Sequence, residues 1–245
     1  MTKGYSHTIE WAADQVVLDG RPFPFTLRRD ARARRMLLRV MPRDGAVVLV
    51  LPKRASLQAG QQFMAEQAGW ILARQAERPQ SPPWADGGSL PFLGETLTIR
   101  HCPQQRARGA VWREGGELLV AGQPEHLPRR LRDWLKSRAR EEFAAQARSL
   151  AASEGLSLSR VTVRDTSSRW GSCSAGGNLS FSWRLIMAPP GIVRYMVAHE
   201  VAHLRHMDHG DAFWRLVARL SGGDAEMRAA RHWLKRHGAA LHLVG

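Results

Sequence analysis

Residues 198–214 read A-H-E-V-A-H-L-R-H-M-D-H-G-D-A-F-W, and the rest of the chain is read outward from them. His199 and His203 are four residues apart, with Glu200 directly after the first. On a helix that spacing stacks both imidazoles on one face, one turn apart, where two nitrogens can reach one metal ion. Glu200 is rotated by about 100° from His199. It therefore stands beside such an ion rather than on it, where a base for metal-activated water is needed. Pro189 and Pro190 suit a first helical turn, and Ile192, Val193, Met196, Val197, Ala198, Val201, Ala202 and Leu204 make the helix apolar almost all round. A surface helix with two solvated histidines would not look like this. A charged Glu200 in such surroundings is costly unless a cation compensates it.

A zinc site that keeps one position open for water needs a third protein ligand. His206, three residues beyond His203, shares its face only if the helix simply continues. His209 is reachable only if the chain turns after roughly Met207. Asp208, Gly210 and Asp211 form a polar, glycine-containing break, and Phe213, Val217 and Leu220 start a new helical period. A turn is therefore expected. That favours His209 and leaves His206 facing solvent or hydrogen-bonding beside the site. Cys173 offers a sulfur donor, but three histidines suffice, and a small residue in a strand is its simpler reading.

Three further stretches accompany this run: R-W-G-S-C-S (169–174), N-L-S-F-S-W-R-L-I-M-A-P (178–189), and, nearer the N-terminus, R-A-R-R-M-L-L-R-V (32–40) with W-I-L (70–72). Together they resemble the YgjP-like metallopeptidases, which are related to the SprT-like and minigluzincin zinc peptidases. The resemblance covers most of residues 24–240. It implies a zincin-like peptidase part, zinc held by His199, His203 and His209, and Glu200 as catalytic base. The chain departs from the family's pattern at Val201, where leucine is frequent, and at Gly210, where a serine-like residue is frequent. Neither position is a ligand.

At 245 residues the chain can bury a sizeable core. No apolar run reaches the ~18–20 residues of a membrane span, and the first residues form no hydrophobic export segment. With only two cysteines, Cys102 and Cys173, a disulfide framework is not expected, and a reducing cytoplasm is the simplest location. The net charge of +14, from 36 Lys+Arg against 22 Asp+Glu, favours contact with a polyanion such as nucleic acid or nucleotide. Arg28, Arg29, Arg32, Arg34, Arg35 and Arg39 form one cluster, and Arg129, Arg130, Arg132, Lys136, Arg138 and Arg140 another. Solvated basic faces in an arginine-rich composition are the plainer reading of both.

The pattern predicts an α+β chain: a β-rich N-terminal region with one helix over 1–122, then a zincin-like metallopeptidase part over 123–245. Strands are expected at 36–41 and 46–51 around P-R-D-G, then a helix over 56–78 with Ser56 as N-cap and Phe63, Trp70 and Ile71 on its buried face. Further strands fall near 90–100, 108–113 and 117–121, before a long helix over 128–153 whose stripe is Leu131, Leu135, Phe143 and Leu150. Extended segments at 160–164 and 169–173 precede a strand over 179–187 that leads into the His-Glu-x-x-His helix. Helices over 211–221 and 224–237 follow, with Gly222 and Gly238 as stops.

The expected activity is peptide-bond hydrolysis in a protein or peptide substrate, by zinc-activated water with Glu200 as general base. A sheet edge beside the metal can pair with an extended peptide, and Leu179, Phe181 and Trp183 are the candidate substrate contacts. Tyr195, His206, Arg169 and Arg184 are candidates for stabilising the oxyanion. Two alternatives keep part of this picture: a metal-dependent nucleotide or phosphoanhydride hydrolase, and a DNA-associated protease or binding protein.

Overall fold

The computed structural model of the chain describes residues 8–12, 14–41, 45–77, 84–104, 109–166 and 169–245. It is mixed α+β, β-rich at the N-terminal end with helices after, and divides into two compact units, Met1–Gln80 and Ser81–Gly245. The division lies at residue 80 rather than at the expected 122. Burial explains this. Leu90, Leu97, Ile99, Leu118 and Val120 share one apolar core with Leu131 and Phe143, so the strands over 89–121 cannot leave the long helix without exposing both.

In the first unit β1 (Ile9–Trp11), β2 (Gln15–Leu18), β3 (Arg21–Asp30), β4 (Leu37–Val40) and β5 (Val47–Pro52) form a sheet in the order β1-β2-β3-β5-β4. β4 and β5 pair antiparallel with Leu38 opposite Leu49, as expected, and the P-R-D turn lies outside the described residues. Val47, Leu49 and Leu51 are fully buried, the period-two signature of a strand with one covered face. Helices α1 (Leu57–Glu66) and α2 (Ala68–Ala76) cover it. Ser56 caps α1 as expected, accepting from the Ala59 N–H at 3.0 Å.

The single helix expected over 56–78 breaks at Gln67, where φ −100° and ψ 5° leave the helical region. The inward positions are then Gly60, Met64, Ala68 and Ile71. Gly60 allows α1 to lie close on β5, since a Cβ there would sit 2.9 Å from Leu51 Cδ2. Trp70 is a correction: it is 41% exposed, beneath the Arg74 guanidinium, because the smaller Ala68 takes the inward place.

The second unit opens with a sheet of β6 (Ser89–Phe92), β7 (Glu95–Cys102), β8 (Val111–Glu114) and β9 (Glu117–Ala121), ordered β6-β7-β9-β8. What reads as one strand over 90–100 is a hairpin. Leu93 and Gly94 both take positive φ, 47° and 84°, between the paired residues Phe92 and Glu95. That matches the twist of the flanking strands, but leucine carries no turn signal. Tertiary contacts hold it: the Leu93 N–H donates to the Ile186 carbonyl at 2.8 Å, and Gly94 lies against Pro189 and Pro190. The hairpin thereby braces the start of the helix that carries His199.

Helix α3 (Leu127–Ser153) buries Leu127, Leu131, Leu135, Ala139, Phe143, Ala147 and Ala151, while Leu150 is only partly covered. Next come β10 (Arg160–Arg164), β11 (Gly171–Cys173) and β12 (Asn178–Ser182), with β12 central, parallel to β10 and antiparallel to β11. The strand expected over 179–187 stops at Ser182 and coils into a 3-10 turn, Trp183–Met187. All five residues of that turn are buried, which an alternating strand cannot achieve.

Three helices finish the chain: α4 (Pro190–Ala202), α5 (Asp211–Ser221) and α6 (Asp224–Leu243). Gly222 stops α5 at φ 108°, as expected. Gly238 stops nothing. It lies buried inside α6, where a Cβ would meet Trp170 Cζ2 at 3.3 Å, so its role is close packing. Among the described residues no helix is long and apolar enough to cross a membrane.

Phe143 is fully buried and meets Phe181 edge-on, with ring centroids 5.5 Å apart. Phe143→Ala is expected to lower the unfolding free energy by about 3–5 kcal/mol. Denaturant titration measures it, and a loss under about 1 kcal/mol would mean that α3 does not hold this core.

Candidate metal centre

Helix α4 buries nearly its whole circumference, and Glu200 lies within that surface at 3% exposure. The helix ends sooner than the sequence suggests. Its last residue is Ala202 and His203 is the C-cap, so the chain already turns over 203–206 rather than after Met207. Gly210 is the N-cap of α5, its N–H donating to Asp208 Oδ1 at 3.3 Å, and His209 lies directly before it.

This turn brings His209 back to the other two histidines. Ligating nitrogens of His199, His203 and His209 all lie within 4.8 Å of one another. The Nε2 atoms of His199 and His209 face each other at 3.4 Å. Two nitrogens bound tetrahedrally at the usual zinc distance are separated by about 3.3–3.4 Å. The His203 Nδ1–H donates to the His206 carbonyl at 2.9 Å, which leaves Nε2 with its lone pair free. Burial, and then the charges of His203, His209 and Arg231, push the His199 pKa down to about 4; burial also lowers that of His203. The residues present fit a tetrahedral metal ion.

Glu200 stands next to this triad without joining it. Burial raises its pKa to about 7, against the opposing charge of Arg169. What makes room for it is a glycine. A Cβ on Gly171 would overlap Glu200 Oε1 and lie 2.7 Å from Cδ. Gly171 is held there by β11, paired with Phe181 of β12, while the Trp170 ring stacks on His242 of α6 at 3.8 Å. The R-W-G run is therefore the wall behind Glu200.

Phe213 and Trp214 complete the surround. Phe213 is fully buried, its ring centroid 5.0, 4.6 and 4.7 Å from those of His199, His203 and His209. Trp214 stacks on His209 at 5.7 Å and carries the Arg231 guanidinium on its face at 4.6 Å. In the sequence Phe213 signals only a new helical period, and Trp214 and Arg231 carry no signal of a site. The clue to the aromatic pair is its place in the H-G-D-A-F-W run.

The remaining candidates separate cleanly. The Tyr195 ring lies 6.1 Å from that of His199, and its hydroxyl pKa is raised by burial. His206 contributes its carbonyl, to His203. Arg184 is 1% exposed, paired with Asp165 at 2.6 Å and donating to the Val244 and Gly245 carbonyls, so it is a structural cation and not an oxyanion group. Cys173 lies outside the convergent set, its thiol 3.4 Å from the Ser174 carbonyl. Leu179, Phe181 and Trp183 need correction as substrate contacts. They are 0%, 1% and 0% exposed, and β12 is paired on both sides, so it offers no free edge. The edges of this sheet are β10 and β11, and β11 is the one that carries Gly171 beside Glu200.

A family model for YgjP-like proteins, metallopeptidase domain, matches residues 34–237. The chain belongs to the YgjP-like metallopeptidase family. The match spans the three histidines, Glu200 and the R-W-G wall, and it begins inside the arginine-rich segment of the first unit. No curated protein and no solved structure shows significant similarity to the chain. A YgjP-like metallopeptidase is a metal-dependent hydrolase, and the three-histidine cluster is the place in this chain able to hold such a metal among the described residues.

The buried carboxylate has a measurable consequence when metal is stripped. A group titrating at about 7 instead of 4.5 binds its proton more tightly in the folded state. Its contribution is full below pH 4.5 and is lost as pH rises through 7, about 3 kcal/mol in all. In chelator, Glu200→Gln is therefore expected to melt above the parent at pH 8 and alongside it at pH 4. Equal melting temperatures at pH 8 would refute the burial.

Proposed function

We propose that this protein is a zinc peptidase in which His199, His203 and His209 hold the ion and Glu200 is the general base. The observation that carries the reading is the convergence of three imidazoles beside one buried carboxylate. Bound there, zinc would supply an electrophile that acidifies water and polarises the scissile carbonyl. Glu200, with a pKa near neutrality, takes a proton from the attacking water and passes it to the leaving amine. The charge of Arg169 keeps enough of it ionised to act as a base. Tyr195 beside His199, and Arg231 on the face of Trp214, supply a hydroxyl and a cation for charge developing on the carbonyl oxygen. An extended substrate pairs with β11, whose second edge is open and whose Gly171 touches the base.

Elemental analysis of protein purified without added metal tests the ligands, and turnover of unfolded casein tests the reaction. One equivalent of zinc is expected in the parent and in Glu200→Gln, and none in His203→Ala. Glu200→Gln should lose roughly 10²–10⁴-fold in turnover. A zinc-free parent, or a Glu200→Gln variant that keeps most activity, would overturn the assignment. So would hydrolysis of nucleoside triphosphates by a protein that leaves casein intact.

Gly171→Ala probes the wall behind the base. The added methyl meets the Glu200 side chain first and displaces its carboxylate. Zinc content should stay at parental level while turnover falls by at least about tenfold; unchanged turnover would show that this contact does not position the base.

A further inference from the structure

The sheet of the first unit has one covered face and one open face, and the open face carries arginines without an ion-pair partner among the described residues. Val47, Leu49 and Leu51 point to the helices, so Val48 and Val50 point away, and both are only partly buried. Cross-strand register places Arg28 and Leu37 on either side of Val50, and Arg39 beside Val48. Arg34 and Arg35 arrive from the segment between β3 and β4. These four arginines, with Leu37 and Val50 as floor, line a groove of about 560 Å³.

All four are exposed, and none has an ion-pair or hydrogen-bond partner among the described residues. The acid in the groove, Asp30, uses its carboxylate to accept from the Arg32 N–H at 2.9 Å. Arg29 offers the contrast. It points to the other face and donates to the carbonyls of Lys53 and Ala55, so its charge has a structural use. The groove arginines have none.

We infer that this groove binds the phosphate backbone of nucleic acid, without reading its sequence. The choice of polyanion rests on energetics. Exposed guanidinium–carboxylate pairs are worth about 0–1 kcal/mol each, so an acidic peptide gains little here. A nucleic acid strand carries condensed counterions, and each phosphate neutralised by an arginine releases them, a gain that only a polymer of high linear charge density offers. Guanidinium forks also match phosphate oxygens two at a time. No aromatic side chain lines the groove, so nothing there stacks on bases, and recognition stays on the backbone. The net charge of +14 adds a long-range attraction of the same sign.

Fluorescence anisotropy of the full chain with a short labelled duplex of mixed sequence, over roughly 50–200 mM salt, tests this. The logarithm of affinity should fall linearly with that of salt concentration. Arg28→Ala/Arg39→Ala should lower affinity and reduce the slope by about 2, while melting and casein turnover stay parental. Arg148→Ala/Arg236→Ala removes two exposed arginines of the second unit, an equal charge, and should leave the slope unchanged. A slope equally reduced by both variants, or by neither, would overturn the site. Displacement of the duplex by poly-glutamate at matched charge would overturn the phosphate assignment in favour of an acidic protein segment.

Discussion

Everything in the second unit is arranged around a carboxylate where water is nearly absent. Glu200 is 3% exposed on a helix whose neighbours are valine, alanine and methionine. An ionised group there is unfavourable, and its pKa near 7 records the cost. What offsets the cost also defines the site: Arg169 supplies positive charge, Gly171 supplies space, and three converging imidazoles supply a seat for a cation. Such a balance holds the Glu200 carboxyl at a pKa of about 7.

The same core explains how three separate segments keep their positions. The Leu93–Gly94 turn leans on the start of α4 and donates a hydrogen bond to the turn after β12, so the helix is fixed at the end remote from the histidines. Phe213 packs against all three imidazole rings, joining α5 to α4 and to the turn between them. Trp170 joins the R-W-G wall to α6 by stacking on His242, and Gly238 lets that helix come close enough. Packing and site geometry are here one set of contacts.

The first unit solves a different problem. Its sheet gains stability from one face, against α1 and α2, and leaves the other to solvent. An open β face with valine and leucine on it invites edge or face association unless charge is placed across it. Arg28, Arg34, Arg35 and Arg39 provide that charge, and none of them has an ion-pair partner among the described residues.

Local pattern alone determined the helix with two histidines a turn apart, the carboxylate between them, the break before His209, the β4–β5 hairpin, and the stripe of α3. Each follows from spacing within a few residues, where helix and strand periods act directly. Tertiary structure alone decided the rest. It set where α4 ends, made Trp70 face outward, turned Leu93 to positive φ, and centred β12 in its sheet so that β10 and β11 became the edges. It also chose Gly171 as the neighbour of Glu200, and Gly238 as a contact rather than a stop. These outcomes depend on what another segment places nearby, and a residue's own neighbours in sequence carry no record of the space left for it.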